Sequence, residues 1–288
     1  MPTMHLVMQI KTVMTKHHSS LFFLFFLFSF TLKASFLLIP MDEESQKDHL
    51  KAYGIAFWTL QNDVTVDWLL NYRGGSFLIE NHSLIEKECI IRGVSYEIIT
   101  NAYKNNLQIE LVHPENNTDI IKLEKAPKVA VYSPKGNLPW DDAVTLVLTY
   151  AEIPYDIIYD EEILTDLLPM YDWLHLHHED FTGQYGKFYA SFKNAPWYIE
   201  QKRNFEEEAQ NFGHSKVSEQ KLEVALKIKE FLTGGGFLFA MCSATDSYDI
   251  ALAAEGVDIC EHMFDGDPMT ENAQEKLDYD KSIAFKNF

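Results

Sequence analysis

Residues 233–247, Thr-Gly-Gly-Gly-Phe-Leu-Phe-Ala-Met-Cys-Ser-Ala-Thr-Asp-Ser, constrain the fold more than any other stretch of the chain. A triple glycine releases a short apolar run, Phe237 to Met241, with the character of a central parallel strand covered on both faces. Cys242 ends that run. Ser243 and Thr245 can cap a following helix, with Asp246 in its first turn. A strand that passes into a helix through one residue strains the backbone there, and it needs small side chains two positions to either side. Ala240 and Ala244 meet that need. The segment predicts a strand–Cys–helix elbow whose helix amides face the thiol and favour its thiolate. A buried cysteine serving as a small hydrophobe is the competing reading of the same spacing.

An elbow of this kind requires a parallel sheet, and the residues before it supply one. From Lys128 the pattern alternates: strand Val129 to Tyr132, helix Asp141 to Glu152, strand Tyr155 to Tyr159, a short helix opened by Asp160, and strand Trp173 to His177. A helix from Glu219 to Thr233 follows, its Gln220, Glu223, Lys227 and Glu230 on one narrow polar arc. Such alternation predicts an open, doubly wound parallel sheet that binds ligands beyond the carboxyl ends of its strands. Between strand and helix lies an aromatic-rich insertion, Phe181 to Val217, read either as a lid or as a loop buried against the core.

Upstream, Tyr53 to Leu60, Thr65 to Tyr72 and Phe77 to Ile79 read as strands, with turn chemistry at Arg73-Gly-Gly-Ser76. A capping box at Ser83 to Glu86 and a stop at Gly93 delimit a helix. Residues 41–126 thus form a small mixed α/β lobe, and 127–288 the parallel-sheet domain, with Lys125-Ala-Pro127 at the boundary. Ser282 to Phe288 reads as a strand, as though the domain continued past it.

Leu21 to Leu32 is a Phe- and Leu-rich run with Lys16 before it and Lys33-Ala-Ser35 after it, the order of a secretory signal peptide over residues 1–34; an uncleaved anchor is the alternative. The expected location is periplasmic or extracellular. The chain carries a net charge of −19, and loss of Lys11, Lys16 and Lys33 with the signal leaves 21 basic against 43 acidic residues, a net −22. Such acidity repels polyanions and argues against a nucleic-acid partner. Three scattered cysteines, Cys89, Cys242 and Cys260, make neither a disulfide framework nor a structural zinc site.

Chemistry gathers at two further places. His175-Leu-His-His-Glu-Asp180 ends the third strand of the parallel sheet. Were the strand to continue, His175, His177 and Glu179 would share a face as a metal constellation. Otherwise they line a polar crevice, where His178 and Glu179 assist Cys242 and His175, His177 and Asp180 orient a ligand. His262, twenty residues after Cys242, is a second candidate base. Ser243 and Thr245 are candidate ligand contacts at the helix start, and Arg73 with its glycines could hold an anion or simply make a hairpin turn. The residues imply no cofactor and no resident metal.

With these residues in view, the segment from about Lys128 to Asp267 resembles the class I glutamine amidotransferase-like superfamily, whose nucleophilic Cys sits on a strand–helix elbow in a flavodoxin-like fold. Gly234-Gly-Gly-Phe-Leu with Ser243-Ala-Thr-Asp246 is similar to its trehalose-utilisation branch. Leu69-Leu-Asn-Tyr-Arg-Gly-Gly-Ser-Phe77 and Trp173-Leu-His-Leu-His-His-Glu-Asp-Phe-Thr-Gly183 resemble exported bacterial proteins commonly labelled asparagine synthetase B. That label implies an amino-terminal Cys and a Ser-Gly-Gly-x-Asp-Ser loop; Pro2 follows Met1 here and no such loop occurs. The resemblance implies a Cys-dependent hydrolase or amidotransferase-like enzyme acting on a small polar molecule. A noncatalytic module binding a ligand such as a sugar on the same fold is the alternative.

Overall fold

The structure is a computed structural model that describes residues 35–134, 143–184 and 186–288. The expected signal peptide, Asp141 at the start of its expected helix, and Tyr185 lie outside the described residues. The fold is mixed α/β, built on one antiparallel and one parallel sheet.

The antiparallel sheet has five strands, β1 (Ser35–Ile39), β2 (Val66–Leu70), β3 (Ser76–Glu80), β4 (Glu97–Thr100) and β5 (Asp119–Leu123), in the order β4-β1-β3-β2-β5. Period-two alternation sends Leu37, Ile39, Phe77 and Ile79 to one face, under α1 (His49–Gln61) and α2 (Ser83–Arg92), and Leu38, Leu69 and Leu78 to the other, under α3 (Asn101–Leu111). The lobe therefore takes in Ser35–Ile39, upstream of residue 41, because that segment is an interior strand paired with both β3 and β4.

The expected strand from Tyr53 to Leu60 is instead the middle of α1. Asp48 caps that helix by accepting from the Lys51 amide, and Ala52, Ile55, Ala56, Thr59 and Leu60 are buried at helical spacing. Apolar residues also occupy the side of α1 that meets α4 (Ala143–Ala151), so the run lacks the polar stripe that would have marked it as a helix. Gly54 sits at that crossing; a Cβ there would lie 1.8 Å from the Ala151 carbonyl oxygen, so the two backbones touch directly. Ion pairs Lys51–Glu152 (2.6 Å) and Arg92–Glu152 (3.1 Å) flank the contact.

The helix at Ser83 forms as expected and stops at Gly93 in the left-handed conformation, φ 72°. His82, not Ser83, caps it.

The parallel sheet contains β6 (Val129–Tyr132), β7 (Asp156–Ile158), β8 (Trp173–Leu176) and β9 (Phe237–Ala240) in the order β7-β6-β8-β9. Ala130, Tyr132, Leu174 and Leu176 face the core under α8 (Val217–Thr233) and α9 (Ser243–Ala253). Val129 and Val131 face Leu148 of α4 and Phe57 of α1 on the other side. Between β7 and β8 lie α5 (Asp160–Leu164) and a 3-10 turn, Leu168–Met170.

β9 stands at the edge of the described sheet and is not the doubly covered central strand its apolar run predicts: Phe237 is 57% and Phe239 47% exposed. A uniformly apolar run carries no mark that distinguishes two covered faces from one. The segment Ser282 to Phe288 is not a strand either. The buried Asp249 carboxylate of α9 accepts from the amides of Ile283, Ala284 and Phe285 and holds that segment as an irregular wrap. Among the described residues no helix is long and apolar enough to cross a membrane.

Candidate functional site

β8 and β9 run parallel with Leu176 opposite Ala240, so residues 177–180 and 241–243 emerge side by side at their carboxyl ends. The Met241 amide donates to the Leu176 carbonyl at 3.1 Å, and the Ala244 amide to the His177 carbonyl at 3.3 Å. The Ser243 hydroxyl donates to the His178 carbonyl at 3.0 Å. Cys242 sits at the corner with φ 54° and ψ −143°, a region that side chains other than glycine's seldom enter. Holding it there costs on the order of 1–3 kcal/mol, which the strand ladder before it and the α9 hydrogen bonds after it must offset. Ala244 is fully buried at the strand–helix crossing, as the elbow requires.

The Cys242 thiol is exposed, whereas Cys89 and Cys260 are buried, and burial pushes each of those two thiols up to about 12. Cys242 itself is the N-cap of α9; neither Ser243 nor Thr245 caps the helix, because Ser243 is already inside it with its hydroxyl on His178. The Ala244 amide is spent on the His177 carbonyl and the Thr245 amide donates to the Cys242 carbonyl at 3.2 Å, so the first-turn donor that this end of α9 offers beside the thiol is the Ser243 amide.

A cleft of ≈ 1200 Å³ opens above these strand ends. It draws a residue from the end of every parallel strand: Pro134 after β6, Tyr159 after β7, His178 after β8 and Ser243 after β9. Its roof is the aromatic insertion, folded as α6 (Gly186–Phe192) and α7 (Pro196–Asn211), from which Phe188, Trp197 and Phe205 line the cleft. Phe188 and Trp197 meet edge to face at 5.8 Å, while Phe181 is buried in the core below.

The structure divides the expected site residues sharply. His178, Glu179, Asp180 and Ser243 line the cleft. Asp180 spends one carboxylate oxygen on the Thr182 amide and hydroxyl, at 2.8 and 2.6 Å. The two imidazoles pair through Nδ1 atoms 3.1 Å apart, His177 against His178. Glu179 is 7% exposed; one oxygen accepts from the His178 amide at 3.1 Å, and Oε1 has no hydrogen-bond partner, with His178 Nε2 3.8 Å away. Burial raises its carboxyl above the ordinary range.

The other expectations are corrected. β8 ends at Leu176, so His175, His177 and Glu179 share no strand face and form no metal constellation. His175 is buried on the side of the sheet away from the cleft, stacked on Phe239 at 5.4 Å. Thr245 does not line the cleft, and neither does Cys242 itself. His262 is exposed at the start of a short helix, α10 (His262–Asp265), and no hydrogen bond or ion pair joins it to Cys242. Arg73 lies in the antiparallel lobe and not in the cleft lining, and it spends three of its five N–H donors on Asp42, Glu97 and Ser45 at 2.8 Å each.

The sequence reading missed Lys221. It lies on the apolar stripe of α8 with Val217, Val224, Ala225 and Ile228, is 3% exposed, and reaches the cleft floor. Its ammonium lies 2.7 Å from Asp160, itself 1% exposed, and donates to Tyr132 and Tyr159 at 2.9 and 3.0 Å. Burial lowers its pKa, but Asp160 outweighs that and holds it above the usual lysine range. Gln220, expected on the polar arc, turns inward and donates to Asp160 at 3.1 Å. A lysine on an otherwise apolar helical stripe demands a buried counter-ion, and that was the available signal. Among the described residues one carboxylate trio, Asp258, Asp265 and Asp267, is close enough to hold an ion, but the Lys216 ammonium already lies within 3.2 Å of all three.

No protein-family model, no curated protein and no solved structure matches this chain.

Proposed function

We propose that the chain is an exported, Cys-dependent hydrolase or amidotransferase-like enzyme acting on a small polar molecule held in the cleft. The observation that carries this reading is the strained backbone at Cys242, since strain of that size persists where it positions a reactive group. The order β7-β6-β8-β9 supports a flavodoxin-like sheet, because it equals the first four strands of that topology and puts the cleft at its switch point, between β6 and β8. In this reading the Cys242 thiolate adds to a carbonyl carbon and the oxyanion accepts from the Ser243 amide at the start of α9. His178 gives the departing group its proton, and water then releases the acyl thioester. The basic-apolar-small order before Ser35 supports export, with the restriction that processing must leave β1 intact.

A noncatalytic binding module is the second reading, favoured by Cys242 lying outside the cleft lining with no hydrogen bond to an imidazole. Alkylation separates the two. At neutral pH iodoacetamide should label Cys242 in the native chain faster than it labels a free cysteine, while Cys89 and Cys260 react only after unfolding; peptide mass spectrometry reads all three. Labelling of Cys242 no faster than free cysteine would remove the activated nucleophile and leave the binding module.

A further inference from the structure

We infer that two copies of this chain join edge to edge through β9, antiparallel about a two-fold axis at Phe239, to make one continuous sheet with four strands from each copy. The contact is independent of what the cleft binds and of any chemistry at Cys242.

β9 differs from the other open edges. Among the described residues four strands end a sheet, and three of them carry charge: Glu97 in β4, Asp119 and Lys122 in β5, and Asp156 in β7. Charged side chains on an open edge keep a further strand from adding to it. β9, Phe-Leu-Phe-Ala, has none, and residues 234–245 hold neither a charge nor a proline. In a chain of net charge −19 such a stretch lets a second copy approach without setting like charges against each other along the seam.

The edge also matches itself. The Phe237 amide donates to the Asp172 carbonyl at 2.9 Å and the Met241 amide to the Leu176 carbonyl at 3.1 Å, with Phe239 opposite His175 between them. In a parallel ladder a residue turns both main-chain groups to one neighbour, so Leu238 and Ala240 turn theirs outward, where the described residues place no strand. An antiparallel copy centred on Phe239 sets Leu238 against the second copy's Ala240 and Ala240 against its Leu238, and every outward N–H and C=O then finds a partner. The same register brings Phe239 opposite its counterpart as a closely spaced pair, Cα atoms about 4.5 Å apart, and Met241 opposite the second copy's Phe237. All three side chains are exposed in the single chain. Phe239 is stacked on His175 at 5.4 Å and Phe237 stands edge-on to Trp173 at 6.0 Å, so the rings are already held and lose little freedom when a partner covers them.

Sedimentation of the purified chain across a range of concentration tests this. A contact of one strand and its side chains lies at the small end of interfaces, so the dimer should dissociate with a Kd of about 1–100 µM. F239D and F239K each set like charges opposite one another at the axis and should raise Kd at least about tenfold, whereas an equimolar mixture of the two should dimerise again because opposite charges then meet. Should either variant fail to fold, wild type alone carries the test: hydrogen exchange of the Leu238 and Ala240 amides should slow as concentration rises. A chain that stays monomeric overturns the inference, as does a dimer that F239D and F239K leave unchanged or a mixture that fails to reassociate. Slow exchange of those two amides even at the lowest concentration would show the edge covered within one chain and overturns it as well.

Discussion

Two side chains in the cleft show opposite ways of holding a charge out of water. Lys221 has a carboxylate and two phenols around it; Glu179 has one amide on one oxygen and, near the other, only the His178 imidazole at 3.8 Å. The consequence for Glu179 is a pH dependence whose sign is fixed. Because burial raises its folded pKa above the unfolded value, the native chain holds this proton where the unfolded chain has released it. Its contribution is therefore most favourable below the unfolded pKa and is lost as pH rises through the window up to the raised value. Urea unfolding of wild type and E179Q from pH 4 to 7 should give a stability difference that shifts in favour of E179Q with rising pH. A difference independent of pH would show that Glu179 titrates in the fold as it does in the open chain.

At the scale of elements, α8 is fastened through one buried ion pair as well as its apolar stripe. K221M keeps the stripe but strands the Asp160 carboxylate, and it should cost about 3–5 kcal/mol in denaturant unfolding; adding D160N should recover part of that loss. Recovery absent in the double variant would mean that Lys221 acts through packing alone. This pair also shows where sequence reading stops. The alternation from Lys128, the strand end at Tyr132 and the corner at Cys242 were legible because each rests on local chemistry: apolar runs, glycine stops, small flanking residues. Lys221 with Asp160, and Gln220 turned inward, depend on a contact between residues about sixty positions apart: the lysine on the apolar stripe calls for a counter-ion, but no local pattern names it. α1 was misread for a related reason, since a helix buried on two sides loses the periodicity that identifies it. Among the site residues, His178, Glu179 and Asp180 were placed by following the strand to its end. His175 was misplaced because its position depends on which face of β8 looks toward the cleft.

Across the whole molecule, the two sheets meet where α1 crosses α4 at Gly54. Alanine at that position gains about 1 kcal/mol of helix propensity, yet its Cβ would fall 1.8 Å from a backbone oxygen that has no rotamer to escape into. G54A should therefore destabilise the chain despite the better helix former, by several times the roughly 1 kcal/mol gained, with the loss read by thermal or urea unfolding. A neutral or stabilised G54A would show that the two helices can separate at little cost. Backbone lies on backbone at this crossing, whereas α6 and α7 meet the rest of the fold through side chains such as Tyr189 against Phe264. Amide hydrogen exchange should accordingly run faster across α6 and α7 than at the α1–α4 crossing, and equal protection of the two would show the roof to be held as firmly as the joint between the sheets.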